Sequence, residues 1–558
     1  MTRGKYWYIM PVLCMVLALV ILGCAAPATT PKPAPTTTAP APKPTTAPAP
    51  TTAPAPTTKP APAPTTAPAG GQQYGGTLRW IRNTGIAQVG APQDVPTQTN
   101  TMLLSSAVLE NLLTCDDSER IQPWLAESWK ISPDGTSFTL NLKKGVKFQD
   151  GTDFNAEAVK YNLDAVLAAN CAGSAVLKKV TSYQVVDPYT LRINLTSYDA
   201  RLLLAFAQSG IGMMASPTAL KKPTTPDNAG KDHLVGTGPF KFDSWAKDQF
   251  IKMTRWDGYW QKGKPYVDAI EIRNNADITV SLLSFRAKEV NMVESIDPSQ
   301  YVAMKKEGFH VDIPPLAFVF SITPDSNTPG SPFADARVRK ALEYAIDKKG
   351  MTQGIGLGTQ FPTYQCASPV DAWYLPDYPT REFSTAKAKQ LLAEAGYPNG
   401  FTYPILTDVR VRNDQIVAIQ SYLKDVGINT TLDKADVTRF NTWVQGGWKG
   451  ILVPGFPNWS SFNSWVNRFT DTTLSYPGQL KPARWKEDWD TIISQTDEGI
   501  RIDQMRIQLK KLYDEALVIP YLYDGPRYVT DGTIVDMQWD SHHINGFYSA
   551  PDVWLKKK

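Results

Sequence analysis

The chain divides by polarity into three stretches. Residues 6–23 are apolar after a basic start at Arg3 and Lys5, residues 25–71 are almost wholly Ala, Pro and Thr, and regular alternation of apolar and polar positions begins only near Gly75. Gly75-Gly76 followed by Thr77-Leu78-Arg79-Trp80-Ile81 reads as a turn and a strand, so the ordered domain opens near Tyr74. Apolar residues at helical spacing over 105–113 predict a helix there. Phe138, Leu140 and Leu142 alternate with polar neighbours, the period of a half-buried strand, and Pro133-Asp134-Gly135 before them signals a turn between two strands. Lys144-Gly145 and Asp150-Gly151 turn the chain again before a helix over 155–167, and hairpins feeding a helix indicate an α+β lobe. Further along, Val338, Ala341, Leu342 and Ala345 make one helical face, with Arg337, Arg339 and Lys340 off it as a solvated basic side. Gly396 fits the position just past a helix end, and Pro398 blocks continuation.

The first two stretches place the rest outside the cytoplasm. Ile21-Leu22-Gly23-Cys24 closes the apolar run with a small residue before a cysteine, and the whole of 1–24 resembles the bacterial lipoprotein signal. That resemblance implies cleavage at Cys24 and lipidation of its sulfur. The 18 residues of 6–23 just reach bilayer-spanning length, but Pro11 within them and the lack of a basic cluster after them count against an uncleaved anchor. The tract 25–72 has nothing to build a core; its prolines favour an extended, disordered linker that reaches up to roughly 150 Å. Taking 71 residues from 558 leaves 487, too many for one small core and enough for two or three lobes.

Charge removes one class of partner. The formal +4 falls to +2 when Arg3 and Lys5 leave with the signal, and no Lys/Arg cluster marks a nucleic-acid footprint. Besides Cys14 and Cys24 there are Cys115, Cys171 and Cys366, widely spaced, so at most one intramolecular disulfide forms and no CxxC metal pair exists.

A set of short motifs recurs in a characteristic order. ENLL at 110–113, PWLAESW at 123–129, SPDGTSFTLNLKKGVKFQDG at 132–151 and FNAEAV at 154–159 are followed by VGTGPF at 235–240 and Tyr259-Trp260 with Lys264-Pro265. PFADARVRKALEYAID at 332–347, LLAEAGYPNG at 391–400 and LKDVGI at 423–428 complete the series. In this order they resemble the peptide/nickel/oligopeptide-binding (family 5) extracellular solute-binding proteins of bacterial ABC importers, over about 75–554. The resemblance implies an α/β fold of mixed α+β lobes, two lobes with two crossovers and an inserted subdomain. The expected division is lobe I from 73–105, 235–315 and 525–558, the insert at 106–234, and lobe II at 316–524. It also implies a monomer without cofactor or catalysis, which captures a peptide-like or other small organic solute and hands it to permease subunits, tethered by its lipid. Alternatives of other classes are a sensor of the same fold and, remotely, a secreted hydrolase; no GxSxG elbow is present for the latter.

Lobe closure implies that ligand contacts come from facing lobe edges. Residues 443–465 are the richest candidate, with Trp443, Trp448, Phe456, Trp459, Phe462 and Trp465, and Gly446-Gly447, Gly450, Pro454-Gly455 and Pro457 make the segment a poor helix. These rings line a cleft or fill a core. Trp443, Phe456, Trp459 and Trp465 are taken as ligand-stacking rings, with Arg410 and Arg412 as partners for an anionic group. Peptide-binding relatives place an Asp near 455–459 for the peptide ammonium, whereas no acid occurs here between Asp436 and Asp471, so a free amino terminus held in that way is disfavoured. His233, His310, His542 and His543 do not form a metal set, since adjacent strand residues point to opposite faces.

Overall fold

The computed structural model describes residues 72–83, 85–95, 103–116, 120–171, 173–225, 230–294, 296–313, 318–455, 462, 465–466, 476–537 and 550–557. All fall in the compact unit Ala67–Lys558. Cys24 with its signal, the tract to 71, Phe456, Trp459, His542 and His543 lie outside the described residues.

Two large sheets organise the molecule. The seven-stranded sheet runs in the order Phe240–Ala246, Phe250–Arg255, Ala269–Asn274, Thr77–Arg82, Met292–Glu294, Tyr528–Thr530, His310–Asp312. Its centre is parallel, because Thr77–Arg82 pairs in parallel with both Ala269–Asn274 and Met292–Glu294. The period of two sends Leu78 and Trp80 into one core with Ile270, Ile272 and Met292, and sends Ile81 and Val293 to the opposite face with Leu282, Phe285 and Met304 of two helices.

The six-stranded sheet has the order Phe361–Pro362, Ile519–Asp524, Phe318–Pro324, Ile451–Val453, Phe401–Asp408, Ile428–Ala435. Phe401–Asp408 is parallel to Ile428–Ala435 and to Ile451–Val453, and helix Asn413–Asp425 makes the crossover. Helices Ala336–Ala345, Thr385–Glu394 and Asn413–Asp425 contribute Leu342, Leu392 and Ile419 to the core on this sheet. The chain passes between the two sheets at 312–318 and at 524–528, the two crossovers of a two-lobe fold.

A four-stranded antiparallel sheet, Ala126–Ile131, Ser137–Leu142, Thr190–Leu195, Val180–Asp187, packs on helix Ala156–Ala168. Asn155 caps that helix, accepting from the Ala158 amide at 3.0 Å. Its core runs on without a break into Trp465, Trp485, Trp489 and Leu509, and the Ala200 amide donates to the Ile493 carbonyl at 2.8 Å. Cys115, Cys171 and Cys366 are buried and form no disulfide among the described residues.

The expected helix over 105–113 is instead a short turn leading into strands Glu110–Asn111 and Leu113–Cys115. Ala107, Val108, Leu109, Leu112 and Leu113 are buried on every side, so their spacing reflects complete burial rather than one apolar stripe. The carbonyls of Ala107 and Val108 accept from the amides of Phe240 and Gly238, at 3.1 and 3.0 Å, in place of helix partners. VGTGPF therefore lies flat on this backbone. A Cβ at Gly236 would stand 2.0 Å from the Val108 carbonyl oxygen and one at Gly238 2.6 Å from that of Ala107, so both glycines are there for close approach.

Glu110 ties four of the sequence motifs together. Its Oε1 accepts from the Tyr259 hydroxyl at 2.7 Å and the Trp124 indole at 3.1 Å, and its Oε2 from the Thr237 hydroxyl at 2.7 Å and the Trp260 indole at 2.9 Å. Burial pushes this carboxyl up to about 7 against the pull of those four donors.

The basic side expected on helix Ala336–Ala345 is also different. Arg337 is exposed and pairs with Asp335, but Arg339 is 1% exposed. Its guanidinium donates to the carbonyls of Phe333, Ala334 and Glu515, because the helix end and its neighbour leave acceptors that only a long cation reaches.

Candidate functional site

Open parallel sheets present ligands with the carboxyl ends of their strands. In the first sheet these ends carry Arg82, Asn274 and Glu294; in the second they carry Asp408, Ala435 and Val453.

On the first edge Arg82 donates from Nε to Glu294 at 2.7 Å, both side chains being more than nine-tenths buried. Burial raises the Glu294 carboxyl and the Arg82 charge opposes it, with the net shift upward. The Arg82 guanidinium also lies 5.5 Å from the Trp80 ring centroid.

On the second edge Asp408 is fully buried and accepts from Arg410 Nε at 2.8 Å, from Arg410 Nη2 at 3.0 Å and from the Gly455 amide at 3.0 Å. Burial would raise this carboxyl, but the donors outweigh it and hold it below the usual range. Gly455 has no alternative: a Cβ there would sit 2.6 Å from Arg410 Cβ and from Asp408 Oδ1. The pair Asp408–Arg410 thus fixes where the segment after Val453 leaves the sheet. Arg412 donates to Asp414, and among the described residues nothing accepts from its buried Nη1.

The two edges approach each other. Asp297 caps helix Pro298–Lys306 of the first lobe, accepting from Gln300 N at 2.9 Å. Burial raises its carboxyl, but Ser299, backbone amides and the charge of Arg412 from the second lobe together lower it. At the crossover Arg527 donates from Nε to the Ile296 carbonyl at 2.9 Å and pairs with Asp524, which also accepts from Gln360 at 2.6 Å.

The sequence-based site residues fare unequally. Arg410 and Arg412 stand at this edge, Arg410 as the clamp on Asp408. Trp443 lies on the last turn of a helix, Val437–Gly446, capped by Asp436 and ended at Gly447, where the break at Gly446-Gly447 is expected. It is half-buried, 6.0 Å from the Phe440 ring and with the Arg439 guanidinium 4.8 Å over its own. Trp465 has no exposed surface and packs 6.0 Å from Trp489 in the core, because the apolar insert and the helices around it enclose the ring; it offers no face to a solute. Phe456 and Trp459 follow Gly455 outside the described residues. Arg82, Glu294, Asp408 and Arg527 escaped sequence reading; the only local hint was an acid two residues before an arginine at a strand end, Asp408-Val409-Arg410.

His233 is already engaged. Its Nδ1 lies 2.9 Å from Asp94 and its Nε2 2.8 Å from the Lys222 carbonyl, and among the described residues no group of three His, Cys, Asp or Glu could hold a metal.

Two α/β lobes joined by two crossovers, with charged residues at the ends of their parallel strands, are the architecture of a two-lobe binding protein. The sequence model of the bacterial extracellular solute-binding proteins, family 5 Middle, matches residues 120–477. The glutathione-binding protein GsiB of Escherichia coli (strain K12) is 30% identical over 431 residues, covering 75% of this chain and 80% of that protein. Among solved structures, NikA from Brucella suis in complex with Fe(III)-EDTA superposes with a TM-score of 0.73 at 22% identity, covering 85% of this chain and 98% of that one. DppA from Helicobacter pylori in complex with the peptide STSA gives 0.67 at 21%, covering 87% and 99%. The chain belongs to the bacterial extracellular solute-binding proteins, family 5. It is the solute-capturing component of an ABC importer. The relatives are binding proteins rather than enzymes, the family is extracytoplasmic, and among the described residues no helix is long and apolar enough to cross a membrane.

Proposed function

We propose that the protein, tethered by a lipid on Cys24 and spaced from the membrane by 25–72, captures a peptide-like solute rich in carboxylate and amide oxygens between its lobes and delivers it, as a monomer, to permease subunits. The observation that carries this reading is the guanidinium N–H groups left at the two edges, those of Arg82 beyond its bond to Glu294 and the buried Nη1 of Arg412. Such donors recognise oxygens, in keeping with the lack of an acid between Asp436 and Asp471. Phe456 and Trp459, which follow the Gly455 anchor, supply the rings that stack on the solute. Lobe I is 73–105, 235–315 and 525–558, the insert 106–234, and lobe II 316–524, a division supported by the sheet membership of the strands. The insert shares its core with 465–518, so it braces lobe II as well.

The similarity to GsiB makes glutathione, which carries two carboxylates, the first probe. Calorimetry is expected to show binding and solution scattering a smaller radius of gyration at saturation, since a ligand touching both lobes favours the closed population. Binding without compaction refutes capture between the lobes. Loss of glutathione binding when its amine is acetylated refutes recognition through oxygens.

A further inference from the structure

We infer that Arg82 is the lobe I partner for a carboxylate on the captured solute; the inference rests on the reading that the solute lies between the facing strand ends. A guanidinium carries five N–H donors. Among the described residues the Arg82 side chain meets a single acceptor, Glu294 at its Nε, so both Nη groups lack one, although the side chain is only 8% exposed. The Nη groups keep contact with solvent at the strand end, which leaves them open to an acceptor from outside the protein. The two Nη groups form a planar fork suited to the two oxygens of a carboxylate, where a single carbonyl would leave half of it unmatched. Glu294 at Nε and the Trp80 ring at 5.5 Å restrain the guanidinium before any solute arrives. The position also suits capture between lobes. Arg82 and Glu294 are the last residues of two parallel strands, and Asp297, three residues past Glu294, feels the charge of Arg412 from the other lobe.

The test compares the full-length protein with Arg82→Lys, which keeps a cation for Glu294 but loses the fork. Unliganded melting, followed by circular dichroism, is expected to be the same for both and so reports on folding separately. In calorimetry, Arg82→Lys is expected to bind glutathione at least tenfold more weakly, and for one of the two monoethyl esters of glutathione, glycyl or γ-glutamyl, both proteins are expected to share one common, weaker affinity. Equal affinity of the two proteins for glutathione, or an equal loss by Arg82→Lys with both esters, overturns the inference. If the wild-type protein takes no glutathione, that choice of solute fails, and succinate becomes the probe. Binding of succinate by wild type and not by Arg82→Lys sustains the carboxylate site, and equal or absent binding by both removes it.

Discussion

Glu110 offers a measurable contest between burial and hydrogen bonding. Burial raises its carboxyl from 4.5 to about 7 although four side chains donate to it. Between those two values the folded state holds a proton that the unfolded state has released, so stability falls as pH rises through that window. A shift of about 2.5 units at about 1.4 kcal/mol per unit corresponds to about 3 kcal/mol. Glu110→Gln does not titrate. Its single oxygen still accepts two bonds, and Thr237 can turn its hydroxyl to accept from the new amide, but one indole N–H loses its acceptor. That loss costs about 1 to 3 kcal/mol, toward the lower end because Trp124 and Trp260 are only half-buried. The wild type should therefore exceed the variant in stability most clearly at pH 4.5. That difference should move by about 3 kcal/mol by pH 8, so that the variant becomes the more stable of the two as burial of the charge outweighs the lost bond. Denaturant unfolding of both proteins at intervals across this range measures the difference, in which groups common to both cancel. An advantage that instead grows with pH would mean the four donors outweigh burial, and the account of Glu110 would be wrong.

Three further outcomes are expected. His233 is raised above its usual value, chiefly by its bond to Asp94, so the imidazolium's contribution is fully present below about pH 6.5 and is lost as pH rises through the folded value. His233→Gln should remove that part of the pH dependence of the melting temperature, and an unchanged profile would show that the ring carries no charge. Asp408→Asn leaves Arg410 without its carboxylate and weakens the hold on Gly455; solute affinity should fall at least fivefold with little change in Arg412-dependent binding, which calorimetry on the single and double variants resolves. Cys24→Ser should yield unacylated protein that leaves the membrane fraction or accumulates unprocessed, and processed protein still found with membranes would point to another anchor.

Local chemistry made much of this protein legible in its sequence. The turn at Pro133-Asp134-Gly135, the alternation over 137–142, the Asn155 cap and the Gly396 stop depend on neighbours within a few residues, and each lies where its residues require. The ordered series of motifs carried the family. What the motifs were for came only from the fold. ENLL, PWLAESW, VGTGPF and Tyr259-Trp260 look like unrelated words along the chain until Glu110 is seen to accept from a residue of each of the other three. Arg339 reads as surface and is buried, and Trp465 reads as a stacking ring and fills a core, because burial is decided by which distant segments close over a side chain. The same holds at the strand ends. Nothing near Arg82 in sequence announces Glu294, 212 residues away, and only the parallel pairing of their strands makes them neighbours. Sequence patterns set periodicity and turns through local sterics, whereas the pairing of charges across hundreds of residues is settled by strand order and register, which no short stretch of chain contains.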